Sequence, residues 1–245
     1  PWVLNHGVWP HGTNWVDEAA AETYIPLLRE CDKLIAEGFQ PKFTIDITPV
    51  LCEMLASDVF KGEFIHYCEM KRDGAKDDYA EFDARKDLSP IERENFLRMA
   101  IYWQNFYQET IEYFTNDLQR NILGGFKKLQ DLGYIDITTC AASHGYAPLL
   151  SRESSINAQF KVARDNYIKH FEREPQGTWL AECAYRPAYK WKKPTDNSPA
   201  YDRPGMEKFL SKHNLKYFFI DTALLLGGIS QGVYAARFPL LKALH

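Results

Sequence analysis

The sequence predicts an α/β fold with parallel strands, and three features support this class. Helical patterns alternate along the chain with short apolar strands, which is the order of repeated strand–helix units. No internal repeat, low-complexity segment or long linker divides the 245 residues. Three predicted strands end on polar side chains, and parallel barrels carry their chemistry at such ends. The pattern alone leaves a parallel barrel and an open doubly wound sheet as alternatives.

The first predicted elements are a long helix, a strand and an irregular segment. Residues 14–38 place apolar side chains near helical spacing, and Pro26 should kink or interrupt this helix. Residues 42–48 alternate apolar and polar side chains and predict a strand with one polar face. Residues 57–88 are rich in charge and glycine and predict an irregular insertion or a small lobe.

Two further helices are predicted in the middle of the chain. Ser89 and Glu92 form a capping box, with Pro90 at the first helical position, and this helix continues to about residue 114. Another is expected from about residue 116 to 132.

The second half of the chain alternates strands with helices. The predicted strands are 134–145, 178–183 and 216–222, and the predicted helices are 155–171 and 203–214. The helix 155–171 is amphipathic, with an apolar face formed by Ile156, Phe160, Ala163, Tyr167 and Phe171. His144, Glu182 and Asp221 lie at or near the ends of the three strands, so we expect them to form one site.

Composition excludes several functions. The net charge of −4 without a basic block argues against nucleic acid as a partner, and no apolar run of 18 residues predicts a membrane span. Five scattered cysteines without a CxxC pair predict free thiols, as in the cytoplasm. The absence of Walker, GxGxxG and GxSxG motifs argues against nucleotide, dinucleotide and serine hydrolase sites, and no cofactor is expected.

Each candidate residue has a functional and a structural interpretation. Glu182 is a nucleophile or general acid/base, or it pairs with Arg186 or caps a turn. His144 follows small residues that allow a ligand to approach and could bond a sugar hydroxyl, although a lone histidine is more often structural. Asp221 orients a hydroxyl or caps a turn. Trp9 is a stacking platform, since the flanking histidines lack a metal-ligand spacing and no metal site is expected.

Four segments carry a resemblance to a known family. "WLAECAYRP" resembles the nucleophile motif of glycoside hydrolase family 57, in the form found in its 1,4-α-glucan branching enzymes. "ITTCAASHGYAPLL" is similar to the second motif of that family. "VLNHGVWPHGTNWVDEAAAETYIPLL" is similar to the segment after its first motif, and "RPGMEKFL" with "KYFFIDTALLLGG" to the region downstream of the nucleophile. The resemblance covers nearly the whole chain in the right order.

The resemblance implies a fold and a reaction. The fold is an incomplete seven-stranded (β/α) barrel with parallel strands, truncated at both ends, with residues 1–245 part of a single catalytic domain. The reaction is retaining transfer on α-1,4-glucan such as amylose or glycogen, forming α-1,6 branches in glycogen biosynthesis. Glu182 is the implied nucleophile, His144 binds substrate beside it, and Trp9 lines the acceptor region. Tyr185 and Asp221 are further candidates for substrate binding.

Two departures from the family pattern limit what residues 1–245 can do. Pro1 aligns with the last residue of the first motif, so the histidines of that motif are missing. The aspartate that serves as general acid/base in the family falls beyond His245, and the rest of the chain is needed to complete the barrel. We therefore expect the isolated piece to be marginally stable and inactive.

Other functions remain open. An α-amylase or a 4-α-glucanotransferase of the same family would share the nucleophile motif. A glucan-binding protein with an incomplete site is a different class. A metal-dependent polysaccharide deacetylase would need grouped histidine and aspartate ligands, which the sequence does not provide.

Overall fold

Helices and short strands alternate in a computed structural model that describes residues 12–193 and 197–221. The candidate Trp9 lies outside these described residues. The described helices are α1 (Asn14–Ala19), α2 (Ile25–Ala36), α3 (Pro49–Ala56), α4 (Asp58–Ala84), α5 (Pro90–Glu112), α6 (Ile122–Asp131), α7 (Glu153–Phe171) and α8 (Met206–Lys212). The described strands are β1 (Phe43–Asp46), β2 (Ile135–Cys140), β3 (Gly177–Trp179), β4 (Tyr189–Trp191), β5 (Tyr201–Arg203) and β6 (Tyr217–Phe218).

The first predicted helix accommodates Pro26 by a change of helix type. A π-helical segment, Ala20–Tyr24, joins α1 to α2, and Pro26 lies in the first turn of α2. Proline lacks an N–H and its ring crowds the preceding turn of an α-helix, so the wider π turn relieves the conflict. The predicted interruption is therefore confined to one turn, and the chain stays helical.

Of the two alternatives predicted for residues 57–88, the irregular insertion is wrong, because nearly all of the segment forms helix α4. Ser57 caps this helix, its hydroxyl accepting a hydrogen bond from the backbone N–H of Phe60 at 3.2 Å. Phe60 and Phe64, one turn apart, are buried, whereas most of the charged side chains lie on exposed positions. Helix α4 packs along α5, so the charge that suggested irregular structure belongs to the solvent face of a helical hairpin.

The capping box of Ser89 and Glu92 forms as predicted at the start of α5. The next helix, predicted over 116–132, begins later than expected. Two residues with left-handed φ interrupt the helical chain before it, and Asn121 then caps α6 by accepting a hydrogen bond from the N–H of Gly124 at 2.9 Å. The strong apolar pattern of this segment did not reveal the break.

Four strands form a sheet in the order β1-β2-β3-β6. Strands β2 and β3 are parallel, with Cys140 opposite Trp179. Strands β3 and β6 are also parallel, with Thr178 opposite Phe218. These pairings and the helices between the strands confirm the predicted α/β class with parallel strands.

A second, two-stranded sheet was not predicted. Strands β4 and β5 pair antiparallel, with Tyr189 opposite Arg203 and Trp191 opposite Tyr201. Each strand has three residues, too few for an alternating pattern to stand out in the sequence.

The chain divides into two compact units. The first comprises residues 12–137 and 166–173, and the second comprises residues 138–165, 174–193 and 197–221. The core of the first unit is rich in phenylalanine, with the rings of Phe64 and Phe114 centred 4.6 Å apart.

The core of the second unit is smaller and lies against the strands that lead to the candidate site. Phe160 of α7 and Phe209 of α8 are buried there with Leu180. The predicted apolar face of α7 is confirmed, since its residues are all buried: Ile156, Phe160, Ala163, Tyr167 and Phe171.

The cysteines are free thiols, as expected, and four of them are buried. None of the described helices is both long and apolar enough to cross a membrane.

Candidate active site

The candidate residues of the second unit follow the ends of neighbouring parallel strands. His144 comes four positions after the end of β2, and Glu182 comes three positions after the end of β3. Asp221 comes three positions after the end of β6, the other neighbour of β3. Carboxyl ends of adjacent parallel strands share one edge of a sheet, so the three residues belong to the same edge. Each predicted strand was too long, and the polar residues lie in the loops beyond.

Glu182 occupies a tight left-handed turn rather than a strand. Its φ and ψ are 59° and 32°, and Cys183 after it also has a positive φ of 53°. The turn is closed by a hydrogen bond from the N–H of Cys183 to the carbonyl of Leu180 at 2.8 Å. Leu180 and Ala181 are buried, while Glu182 is exposed. The apolar residues thus anchor the turn and leave the carboxylate in solvent.

Within residues 12–193 and 197–221, the fold makes no polar contact with the side chain of Glu182. Among the described residues, no hydrogen bond or ion pair engages its carboxylate, so the alternative of a pair with Arg186 is not observed. A carboxylate held in a strained turn without a structural partner is available to a ligand.

His144 is presented in a similar way. Its φ is 56°, and its N–H donates to the carbonyl of Ala141 at 2.8 Å. The preceding residue is anchored on α7, because the N–H and the hydroxyl of Ser143 both donate to Oε1 of Gln159, at 2.9 and 3.1 Å. The imidazole itself is exposed. Gln159 is a supporting residue that the sequence pattern did not reveal, since a polar side chain on an amphipathic helix carries no distinguishing signal.

The electrostatics place two carboxylates near one thiol. Burial raises the pKa of Cys183, and the negative charges of Asp221 and Glu182 raise it further. Both carboxylates therefore lie close enough to act on the same sulfur, and the thiol stays protonated at neutral pH.

Tyr185 is committed to contacts within the protein. Its ring stacks on Phe218 with centroids 5.3 Å apart, and its hydroxyl donates to Oε2 of Glu207 at 3.3 Å. Burial, and then the charge of Glu207, raises its pKa. Tyr185 therefore joins the Glu182 loop to β6 and α8, and its role in substrate binding stays a prediction.

Within the described part of the chain, no three histidine, cysteine, aspartate or glutamate side chains are grouped as metal ligands would be. The arrangement can instead perform carboxylate chemistry. Glu182 has an exposed carboxylate, and His144 and Asp221 are exposed polar side chains of types that can bond hydroxyls.

Comparisons of the sequence and of the structure with known proteins indicate the same family. The sequence profile of glycosyl hydrolase family 57 matches residues 1–239. A 1,4-alpha-glucan branching enzyme of Thermococcus kodakarensis is 38% identical over 235 residues, which cover 96% of this chain and 33% of that protein.

Two solved structures are similar to this chain. A branching enzyme of this family from Pyrococcus horikoshii has a TM-score of 0.82 at 40% identity, covering 91% of this chain and 40% of that one. The alpha-amylase AmyC of Thermotoga maritima has a TM-score of 0.72 at 30% identity, covering 94% and 39%. The chain therefore spans about a third to two fifths of the length of these proteins.

Proposed function

Because this chain belongs to glycosyl hydrolase family 57, we propose that it carries the nucleophile of a retaining enzyme that forms α-1,6 branches in α-1,4-glucan. The observation that carries the proposal is Glu182, an exposed carboxylate held in a left-handed turn beyond the end of a parallel strand. The similarity to two branching enzymes at 38% and 40% identity supports this activity over others of the family. Amylose and glycogen are the proposed substrates, and the cytoplasm, with glycogen synthesis, is the proposed setting.

In the proposed reaction, a carboxylate oxygen of Glu182 attacks the anomeric carbon of a glucose unit. The bond from that carbon to the leaving oxygen breaks, and a general acid protonates the leaving glucan. The 6-hydroxyl of an acceptor glucan then attacks the same carbon, gives its proton to the conjugate base of that acid, and releases Glu182. Two displacements at one carbon retain its configuration.

The other candidates have supporting roles in this proposal. His144 and Asp221, at the loops on either side of Glu182, bond hydroxyls of the donor sugar. The aromatic side chains Trp9 and Tyr185 hold the acceptor. We propose, as the family resemblance implies, that the general acid is an aspartate outside residues 1–245, so Asp221 is not assigned that role.

A fluorinated α-glucosyl fluoride, which forms its enzyme adduct much faster than it loses it, tests the nucleophile. In the full-length protein we expect a covalent adduct on the peptide that contains Glu182, detected by mass. Glu182→Gln should abolish labelling and reduce branching at least about 10⁴-fold, because the covalent route is lost. A wild-type adduct on any other residue would contradict the assignment.

Glu172 provides a matched control for this substitution. It is also an exposed glutamate with a left-handed φ of 56°, but it follows helix α7 rather than a strand. Glu172→Gln should keep labelling and branching within about twofold of wild type, since an exposed pair such as that with Lys127 contributes little.

The similarity to AmyC supports a second candidate, hydrolysis of α-1,4-glucan. Both activities use the same nucleophile and differ in whether water or a glucan hydroxyl takes the sugar. Counting new α-1,6 linkages against new reducing ends in the products separates them. A branching enzyme gives mainly linkages, and an excess of reducing ends would favour the amylase.

A further inference from the structure

The β4–β5 hairpin buries an arginine that has no acidic partner in the part of the chain that the structure describes. Arg203, on β5, is 1% exposed, and among the described residues no carboxylate forms an ion pair with it. Removing a guanidinium from water costs free energy that a salt bridge usually offsets. The position of Arg203 therefore requires another set of contacts.

Those contacts run to one short segment of main chain. Nη1 of Arg203 donates to the carbonyl of Pro148 at 2.9 Å, and Nη2 donates to the carbonyl of Ser151 at 3.2 Å. The guanidinium also lies over the ring of Trp191, 3.9 Å from its centroid, and Nη2 donates to the hydroxyl of Tyr201 at 2.7 Å. The planar fork of arginine can bridge two carbonyls in this way, whereas the single ammonium of lysine cannot hold both in the same geometry.

The aromatic residues of the hairpin bond the same segment. Nε1 of Trp191 donates to the carbonyl of Pro148 at 3.1 Å, and the hydroxyl of Tyr201 donates to the carbonyl of Ser151 at 3.3 Å. The N–H groups of Leu149 and Leu150 bond only within the turn, to Tyr146 and Ala147. The hairpin thus supplies the long-range hydrogen bonds of residues 147–151 that the structure describes.

Arg203 joins residues 147–151 to the β4–β5 hairpin. These two segments follow the candidate catalytic loops. Pro148 is four positions after His144, and Tyr189, the first residue of β4, is seven positions after Glu182. Both His144 and Glu182 have positive φ, a conformation that persists only where the surrounding structure holds it. A contact that ties together the chain beyond both residues restrains their relative position.

We propose that Arg203 is a positioning residue for the reaction, since it fixes the loop of His144 relative to the loop of Glu182. This inference rests on the proposed function, because it takes Glu182 as the nucleophile. It predicts that loss of Arg203 slows attack by Glu182 even in molecules that are fully folded. Displacing a reacting group by about 1 Å can cost about 100-fold in rate.

Labelling of the full-length protein by the fluorinated α-glucosyl fluoride tests this, because it separates two quantities. The number of labelled sites per chain measures how many molecules hold a competent fold, and the rate of labelling measures how well Glu182 is aimed. For Arg203→Met we expect close to one label per chain and a rate reduced about 10- to 100-fold. Arg203→Lys, which keeps the charge but has one ammonium group in place of the planar fork, should recover part of the rate and serves if the methionine variant does not fold.

Lys190 is the matched control on the same hairpin. It is an exposed cation whose ion pair with Asp202, at 2.7 Å, lies on the solvent side, so Lys190→Met should leave both quantities unchanged.

The outcomes are distinguishable. An unchanged rate in both Arg203 variants, or fewer labelled sites at an unchanged rate, would show a purely structural role and overturn the inference. If the wild-type protein acquires no label on Glu182, the proposed function fails, and this inference fails with it.

Discussion

Glu182 and Cys183 show how the functional turn is held at the level of single residues. Two successive non-glycine residues with positive φ cost about 1–3 kcal/mol each. The cost is offset locally, because Leu180, Ala181 and Ala184 around them are buried and their backbone groups close the turn. Such strain is typical of positions where a side chain must be aimed. The left-handed turn also explains why strand β3 ends earlier than the strand that the sequence predicted.

Asp17 is a second residue of interest, because its environment disfavours the ionised form of its carboxyl group. It is 1% exposed, and its Oδ1 has no hydrogen-bond partner among the described residues. Thr13, one turn earlier, and Glu63 and Tyr67 of α4 also have buried polar oxygens without a described partner. Burial, and then the charge of Glu63, raises the pKa of Asp17 to about 7. Asp17 is therefore largely protonated in the native protein below neutral pH.

We predict that Asp17→Asn removes a pH dependence of stability. The folded pKa of about 7 exceeds the ordinary value of 3.8, so native Asp17 holds its proton more tightly than the unfolded chain does. The free energy of unfolding should therefore fall as pH rises from about 4 to about 7. Asparagine cannot ionise, so the variant should match wild type near pH 4 and exceed it by about 2–4 kcal/mol at pH 8. Denaturant titrations at several pH values measure this.

Asp77→Asn, on the exposed face of α4, is the control for this prediction and should leave the pH dependence intact. An Asp17→Asn variant that loses stability equally at pH 4 and pH 8 would show that the carboxylate itself is needed.

At the level of elements, the pairing of β3 with β6 depends on a missing side chain. Gly177 lies opposite Tyr217, and a Cβ at Gly177 would lie 2.2 Å from two atoms of the tyrosine ring. That separation is far below van der Waals contact, so the ring covers the backbone of β3 directly. The strand that leads to Glu182 is thus set in place by an aromatic ring that only glycine admits.

Gly177→Ala is predicted to destabilise the protein by about 1–3 kcal/mol, because the ring must move or the strands must separate. Alanine is otherwise preferred over glycine in a strand, so the sign of the effect distinguishes this steric conflict from propensity. Denaturant midpoints give the change, and adding Tyr217→Ala should make the alanine at 177 less harmful than it is alone.

Gly62 of α4 provides the comparison, since a Cβ there meets nothing within 4 Å. Gly62→Ala should be neutral or stabilise the protein by up to about 1 kcal/mol. Equal effects at the two glycines would contradict the steric explanation.

The same elements show what the sequence could and could not predict. The buried face of α7 and the capping box at Ser89 follow from periodicity and local hydrogen bonding, and both are confirmed. Helix α4 was missed because its long charged face masked a narrow buried stripe. The β4–β5 hairpin was missed because its strands are short and are held by contacts far apart in sequence, such as that of Arg203 with Pro148.

For the site, sequence position alone located Glu182, His144 and Asp221 near three strand ends, and the order β2-β3-β6 makes those strands neighbours. Neither the left-handed turns nor the anchoring of Ser143 by Gln159 could be predicted, because both depend on tertiary packing rather than on local pattern.

At the scale of the whole molecule, the described sheet has two outer strands, β1 and β6, each with one neighbour. The seven-stranded (β/α) fold that the family resemblance implies has three strands more than this described sheet. The relatives are about two and a half to three times as long as the part that this chain matches. Retaining transfer also needs a second carboxyl group about 5–5.5 Å from the nucleophile. We propose, from the family resemblance, that an aspartate outside residues 1–245 supplies it.

Because the nucleophile and the proposed general acid lie in different parts of the chain, we predict that residues 1–245 alone will not branch amylose. The piece must first be shown by circular dichroism to be folded. Departure of a glucan oxygen requires a proton from the general acid, whereas fluoride departs without one. The fluorinated α-glucosyl fluoride should therefore still label Glu182 in this piece, more slowly than in the full-length protein, while amylose stays unchanged. Turnover of amylose by the isolated piece would place the acid within residues 1–245, with Asp221 as the first candidate because it follows β6, the neighbour of β3.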